Sequence, residues 1–207
     1  MELTASQTDS LTELINIGYA RAAGALSELT GYRILLGVPK VEAHPVKEVT
    51  RILARSIQGE VASVHQVFTG PVGGNALLLL DHQAALMLNR LLTNDTRPSG
   101  ELDAGAREVL TEVGNVVLNA CLGVFGNLLQ VQVAFAVPRL HINSVEDVLN
   151  SITVDDRELQ YALMIQTQFH LRNSNVRGYL VIILGITSLD TLLYELEQWE
   201  KRETSSS

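Results

Sequence analysis

A single offset of 99 residues organises this chain. The segment "DSLTELIN", Asp9 to Asn16, returns as "EVLTEVGN", Glu108 to Asn115, so that Glu13 falls on Glu112, Asn16 on Asn115 and Leu11-Thr12 on Leu110-Thr111. The same register carries Gly24 onto Gly123, Leu29 onto Leu128, Pro39 onto Pro138, Val46 onto Val145 and Val49 onto Val148, with no insertion. An internal repeat restricts the fold to one that accommodates two copies of the same element order. Farther along the match weakens, but the order persists. The first half has an alternating apolar stretch (61–68), the run "ALLLL" (76–80) and the amphipathic "DHQAALMLNRLL"; the second has "YALMIQTQF" (161–169), "YLVIIL" (179–184) and "SLDTLLYELEQW".

The halves therefore cover about residues 1–95 and 101–200 of a single domain spanning 1–207, joined by "TNDTRPSGELD", a segment of linker composition. Each half predicts a long helix, a strand, a short helix, two strands and a final helix. The segments "TGPVGGN" (69–75) and "HLRNSNVRG" (170–178) have the chemistry of hairpin connections, which makes the adjoining strands antiparallel. The fold class is accordingly α+β. An odd strand count per half leaves an edge for the sister half to pair with, giving one shared antiparallel sheet across a pseudo-two-fold axis with the long helices packed on it. The tail "KRETSSS", 201–207, is polar and expected to fray.

Composition narrows the function classes. The chain is 46% hydrophobic and 18% charged, enough for a sizeable core, and its net charge of −8 argues against a nucleic-acid or anionic-membrane binder. Cys121 stands alone, so neither a disulfide framework nor a thiolate metal cluster is expected, and its apolar neighbours suit a core side chain. No signal peptide is expected at the start of the sequence and no apolar run approaches membrane-spanning length, so a cytoplasmic protein is expected. The five histidines lack metal-ligand spacing, and no metal site is expected. "TGPVGGN" lacks the Lys-Ser/Thr ending of a phosphate loop, and no G-x-S-x-G or Cys/His nucleophile arrangement occurs.

On a helix over 5–30, Leu11, Leu14, Ile15, Gly18, Ala22, Ala25, Leu26 and Leu29 share one broad face, while Asp9, Glu13, Asn16, Ala20 and Ser27 lie opposite. The second copy divides the same way. Leu110, Val113, Val117, Cys121, Phe125 and Leu128 form its core face, and Glu108, Glu112, Asn115, Asn119 and Gly126 the other. A polar stripe on an amphipathic helix is ordinarily a solvated face and nothing more. Here the stripe is poor in the usual Lys/Glu mixture and keeps small residues beside the pair. Asn in mid-helix also carries a small propensity cost, and both copies retain it.

These residues match the signature [DS]-x-x-x-E-x-x-N followed by 22 residues and Pro of the CheC/CheX/FliY family of chemotaxis phosphatases. The first copy fits throughout, with Asp9, Glu13, Asn16 and Pro39; the second gives Glu112, Asn115 and Pro138, with Glu108 where Asp or Ser is the rule. The doubled arrangement and the order of elements resemble the CheC-type members over essentially the whole chain. The resemblance implies hydrolysis of the aspartyl phosphate on a CheY-like response-regulator receiver, with no cofactor bound by this chain and Mg²⁺ supplied by the receiver. It implies that Asn16 and Asn115 orient the attacking water, and that Glu13 and Glu112 anchor the receiver's active-site Lys. Asp9 and Glu108 would assist at the rim of the contact, Glu108 being one methylene longer than the usual Asp. Pro39 and Pro138 are read structurally, as entries to strands.

Two other readings differ in class. FliM-like flagellar-switch components resemble this fold without the Glu/Asn pairs and dock partners without hydrolysis; retention of both pairs here favours the enzyme. The resemblance also implies the deamidase CheD as a further partner, with the short helix near 144–152 as its candidate surface. The expected state is a monomer, since duplication already supplies the pairing a half-length relative would obtain by dimerising.

Overall fold

The computed structural model describes residues 3–57, 59–93, 100–128, 130–155, 159–171 and 173–205. The chain opens with α1 (Ala5–Thr30), β1 (Ile34–Leu36), β2 (Lys40–Pro45), α2 (Val46–Ser56), β3 (Glu60–Thr69), β4 (Gly74–Asp81) and α3 (His82–Thr93). The same order follows again: α4 (Ala104–Leu128), β5 (Ala134–Phe135), β6 (Arg139–Ser144), α5 (Val145–Asp155), β7 (Leu159–Leu171), β8 (Ser174–Gly185) and α6 (Ile186–Ser205).

The strands form one eight-stranded sheet in the order β1-β7-β8-β4-β3-β5, with β2 also on β7 and β6 also on β3. Every pairing is antiparallel. β4 and β8 meet at the centre, Leu77 opposite Val181 and Leu78 opposite Leu180. The outer pairings exchange halves: β2 lies along β7 with Val41 opposite Ile165, and β6 along β3 with Ile142 opposite Ala62. The class and the shared sheet are those expected from the sequence.

The period of two along the strands sends alternate residues to two cores. Ala76, Leu78 and Leu80 of β4 and Leu180, Ile182 and Leu184 of β8 face the larger core, formed with α1, α4, α3 and α6. Leu77, Leu79, Val181 and Ile183 face the smaller core, closed by Val46, Val49 and Leu53 of α2 and Val145, Val148, Leu149 and Ile152 of α5. With strands apolar on both faces, the central sheet is sealed by helices on each side. On the larger-core side α1 and α4 touch: a Cβ on Gly18 would stand 2.8 Å from the Cys121 Cα, so the two helices approach at a position only a glycine leaves open.

Several local expectations need correction. Each half contains one more strand than the sequence pattern indicates, because β1 and β5 have three and two residues, too short for a period to register. The loop 69–75 is a hairpin turn as expected, with Phe68 opposite Gly74. Gly70 there has φ 147°, and a Cβ on it would lie 2.1 Å from the Gln132 carbonyl oxygen. The second hairpin is far tighter than "HLRNSNVRG" suggests, since the β7–β8 ladder runs to Leu171 opposite Ser174. Asn173 takes φ 63°, a region Asn tolerates by bonding locally. The tail is helical through Ser205, as the last turns of α6. Residues 94–99 of the linker lie outside the described residues. Finally, Ala104–Asn127 is long and apolar enough to cross a membrane by length and composition, with a mean hydropathy of 1.5. Half of its most apolar window is buried in the protein, packed against α1 and the sheet, which accounts for that composition.

Candidate functional site

α1 is set in place at both ends. Thr4 accepts from the Gln7 backbone N–H while the Gln7 side chain accepts from the Thr4 N–H, a reciprocal capping box, and Gly31 closes the helix at φ 70°. Leu11, Leu14, Ile15, Gly18, Ala22 and Leu26 are buried, whereas Asp9, Glu13, Asn16 and Ala20 are exposed. Ala25 and Leu29, expected in the core, are exposed instead, Leu29 by 62%. The core stripe is narrower near the end of the helix than the hydrophobic pattern implies. Ser27, which falls on the polar face, is a structural tether: its hydroxyl donates to the Ala23 carbonyl (2.6 Å) and accepts from the Ile34 N–H (3.0 Å), holding β1 beside the helix.

An open hollow of about 410 Å³ lies between α1 and β1, with Asn16, Ala20, Gly24 and Leu36 among its walls. No side-chain hydrogen bond fixes Asn16 among the described residues. The level of α1 that carries Asn16 is held from below by Tyr19, whose hydroxyl hydrogen-bonds that of Thr167 on β7. Desolvation pushes the Tyr19 phenol far up, so it remains a neutral, structural group.

The corresponding side chains on α4 sit differently. Glu108 and Glu112 are exposed, but Asn115 and Asn119 are half-buried and linked. Asn119 Nδ2 donates to Asn115 Oδ1 (2.6 Å), and Asn115 Nδ2 reaches toward Glu112 Oε2 at 3.5 Å. Behind them Gln66 of β3, only 2% exposed, donates from Nε2 to Asn119 Oδ1 (3.0 Å) and to the Ala136 carbonyl (2.9 Å). α4 reaches β3 because residue 114 is glycine; a Cβ there would fall 2.4 Å from Val64 Cγ1. Pro39 and Pro138 stand immediately before β2 and β6, and the residue ahead of each, Val38 and Val137, is 83% exposed.

Sequence reasoning placed Asn119 on the outer face but missed Gln66. The signal was present: in the β3 sequence Ala62, Val64, Gln66 and Phe68 occupy successive inward positions, and Gln66 is the one polar residue among them. Cys121 is fully buried and desolvation pushes its thiol up, away from thiolate chemistry. Among the described residues no group of three or more His, Cys, Asp or Glu is arranged to hold a metal ion. A hollow of about 1120 Å³ lies at the far end of α4 beside Gly126 and Phe135 and does not include Glu112 or Asn115.

No family model matches the chain. A curated protein of Halobacterium salinarum, named as a candidate CheY-P phosphatase, CheC1, is 23% identical over 169 residues, covering 82% of this chain and 85% of the relative. Among solved structures, Thermotoga maritima FliY superposes with a TM-score of 0.78 at 20% identity, covering 96% of this chain and 100% of that one. The chain thus resembles a CheC-type protein in sequence and FliY in fold. The same fold extends to FliM from H. pylori, solved in complex with SpeE, with a TM-score of 0.67 at 14% identity over 96% of this chain and 98% of that one. The likenesses to FliY and FliM are of fold alone.

Proposed function

We propose that this protein is a CheC/CheX/FliY-type phosphatase that hydrolyses the aspartyl phosphate of a CheY-like receiver domain, using two centres, Glu13/Asn16 and Glu112/Asn115. One observation supports the proposal: the same acid–amide pair, one helical turn apart, recurs on both long helices, α1 and α4, with Glu13, Asn16 and Glu112 exposed and Asn115 half-buried. Asp9 and Glu108, exposed one turn earlier, border each contact.

The chemistry suits such sparse machinery. An acyl phosphate is already activated, the receiver holds its own Mg²⁺, and phosphoryl transfer depends chiefly on positioning and electrostatics. An amide oxygen can accept a hydrogen bond from the attacking water while its NH₂ donates elsewhere. Being neutral, the amide approaches the anionic phosphoryl group without charge repulsion. Its contribution is orientation, which in favourable geometry supplies several kcal/mol of the barrier reduction. Glu13 and Glu112 carry the charge that pairs with a receiver Lys. Pairs lying this near the surface suit a macromolecular substrate that brings its own walls.

The test is release of phosphate from phosphorylated receivers in the presence of Mg²⁺. Changing Asn16 and Asn115 together to Ala abolishes turnover on this reading while each single change leaves one working centre. Full activity in the double variant overturns it. The shared fold with FliM supports a second reading, a module that docks a receiver or switch protein without hydrolysis. In that case binding is measurable and turnover is absent in the unaltered protein. CheD at the α5 surface and a monomeric state belong to the same family reading and are tested by co-sedimentation.

A further inference from the structure

We infer that Asn119, oriented by Gln66, is a positioning residue for Asn115, and that the two centres are consequently unequal. The inference rests on the proposed phosphatase function and extends it to residues outside the Glu/Asn pairs.

The argument begins at a backbone carbonyl. Ala136 O can only accept, so the Gln66 side-chain nitrogen must face it, 2.9 Å away. That nitrogen's second contact, at 3.0 Å, must then be the oxygen of Asn119. With its oxygen turned to Gln66, Asn119 presents its NH₂ to Asn115, which accepts through Oδ1 at 2.6 Å. The Asn115 NH₂ is left pointing toward Glu112 at 3.5 Å. Amide oxygen and nitrogen are nearly isosteric, and only hydrogen-bond partners tell them apart. Here one fixed carbonyl sets the sense of three side chains in series and finishes on a carboxylate. One lone pair of Asn115 Oδ1 is occupied by Asn119, and the other remains for a water.

The first centre has neither member of this relay. At the 99-residue offset Asn119 corresponds to Ala20, and the pairing of β2 with β7 and of β6 with β3 makes Thr167 the counterpart of Gln66, its hydroxyl engaged with Tyr19 rather than with an amide of the site. Asn16 is therefore exposed and must be ordered when the receiver binds. The relay also carries a cost that stability does not explain. Gln66 Oε1 is buried and has no hydrogen-bond partner among the described residues, a loss for the fold.

The experiment isolates each centre in the full chain. In an Asn16→Ala background, where only Asn115 can act, Asn119→Ala lowers kcat about three- to tenfold, the range expected for re-ordering one short polar side chain at each turnover. KM for the receiver does not change. In an Asn115→Ala background Asn119→Ala has no effect, a contrast that a general loss of stability would not produce. Asn119→Asp adds a test of sense: an acceptor-only side chain forces Asn115 to turn its NH₂ inward, so this near-isosteric change is at least as damaging as Ala. Equal activities of Asn119, Asn119→Ala and Asn119→Asp in the isolated second centre overturn the inference while leaving the phosphatase reading intact. If the Asn16→Ala/Asn115→Ala protein retains full turnover, it is the phosphatase reading that fails. The relay is then judged by nitrogen-15 spectra of the side-chain amides. Restricted Asn115 NH₂ resonances that shift on Asn119→Asp, beside mobile Asn16 resonances, uphold it; indistinguishable mobility of the two overturns it.

Discussion

Replacing Gly18 and Gly24 by alanine, one at a time, applies the same chemical change at two places on α1 and should give opposite signs. Alanine is favoured over glycine in a helix by about 1 kcal/mol, and both positions gain this. At Gly24 the new methyl meets nothing within 4 Å, so the gain is uncompensated. At Gly18 the Cβ would lie 2.8 Å from the Cys121 Cα, 3.2 Å from its sulfur and 3.3 Å from the Ala120 carbonyl oxygen. Carbon atoms pack best at roughly 3.5–4.0 Å, and the nearest obstacle is helix backbone, which cannot rotate aside. α1 and α4 must separate by several tenths of an ångström, an overpacking cost of about 1–3 kcal/mol. The two variants then differ by about 2 kcal/mol, or roughly 4–8 °C in melting temperature for a chain of this size. Thermal and urea unfolding of the two proteins, followed by circular dichroism, measures the gap. A Gly18→Ala protein that melts at or above Gly24→Ala would refute the claim that the long helices meet at this point.

Other outcomes follow from the site and the sheet. Gln66→Leu keeps the shape, deletes a buried amide with an unpaired oxygen and leaves stability within about 1 kcal/mol, while it weakens the isolated second centre as Asn119→Ala does; a drop of several kcal/mol in urea unfolding would contradict this. Tyr19→Phe removes the hydrogen bond to Thr167 inside the core and costs about 1–2 kcal/mol in the same assay. Asn115→Asp in the Asn16→Ala background places a carboxylate near the phosphoryl group, a repulsion of about 4 kcal/mol at ~4 Å and an effective dielectric of about 20, so phosphate release falls at least as far as with Asn115→Ala. His65 is held below its ordinary value of 6.5, first by desolvation and also by His141 and Arg139, against a raising hydrogen bond to Asn75. Between the folded and unfolded values the unfolded chain binds more protons, so this contribution is complete above pH 6.5 and is lost as pH falls. The fall in urea midpoint on acidification should be smaller in His65→Gln.

The large features were legible because they rest on period and repetition. The 99-residue register located both long helices and assigned Glu13, Asn16 and Glu112 to faces that are exposed, although Asn115, assigned likewise, is half-buried against Asn119; the Gly/Pro-rich 69–75 segment identified the first hairpin. What escaped notice was set by contacts between distant residues. β1 and β5 exist because β7 and β3 offer them an edge, and nothing within two or three residues announces that. Leu29 reads as core by spacing but is exposed, since no element covers the end of α1 at that angle. Ser27 reads as part of a functional stripe and instead ties down β1. A helical wheel records direction and not what stands in that direction.

The cross-half contacts bear on why the two copies remain in one chain. The relay behind Asn115 joins α4, in the second half, to Gln66 on β3, in the first. The Tyr19 hydroxyl joins α1, in the first half, to Thr167 on β7, in the second. β2 and β6 each complete the sister half's sheet, and Gly18 and Gly114 bring α1 onto α4 and α4 onto β3. Neither long helix is therefore positioned by its own half alone. A substitution in one copy propagates into the support of the other's helix, so the halves cannot diverge independently in their interiors. Their polar faces are under no such constraint. Ala20 and Asn119 occupy equivalent places, and a single polar exchange there, matched by Gln66 against Thr167, is enough to leave one amide without the relay and hold the other in a fixed sense. Under the proposed phosphatase reading the repeat puts two centres on one scaffold, and the shared core holds the helices that carry them while their polar faces diverge.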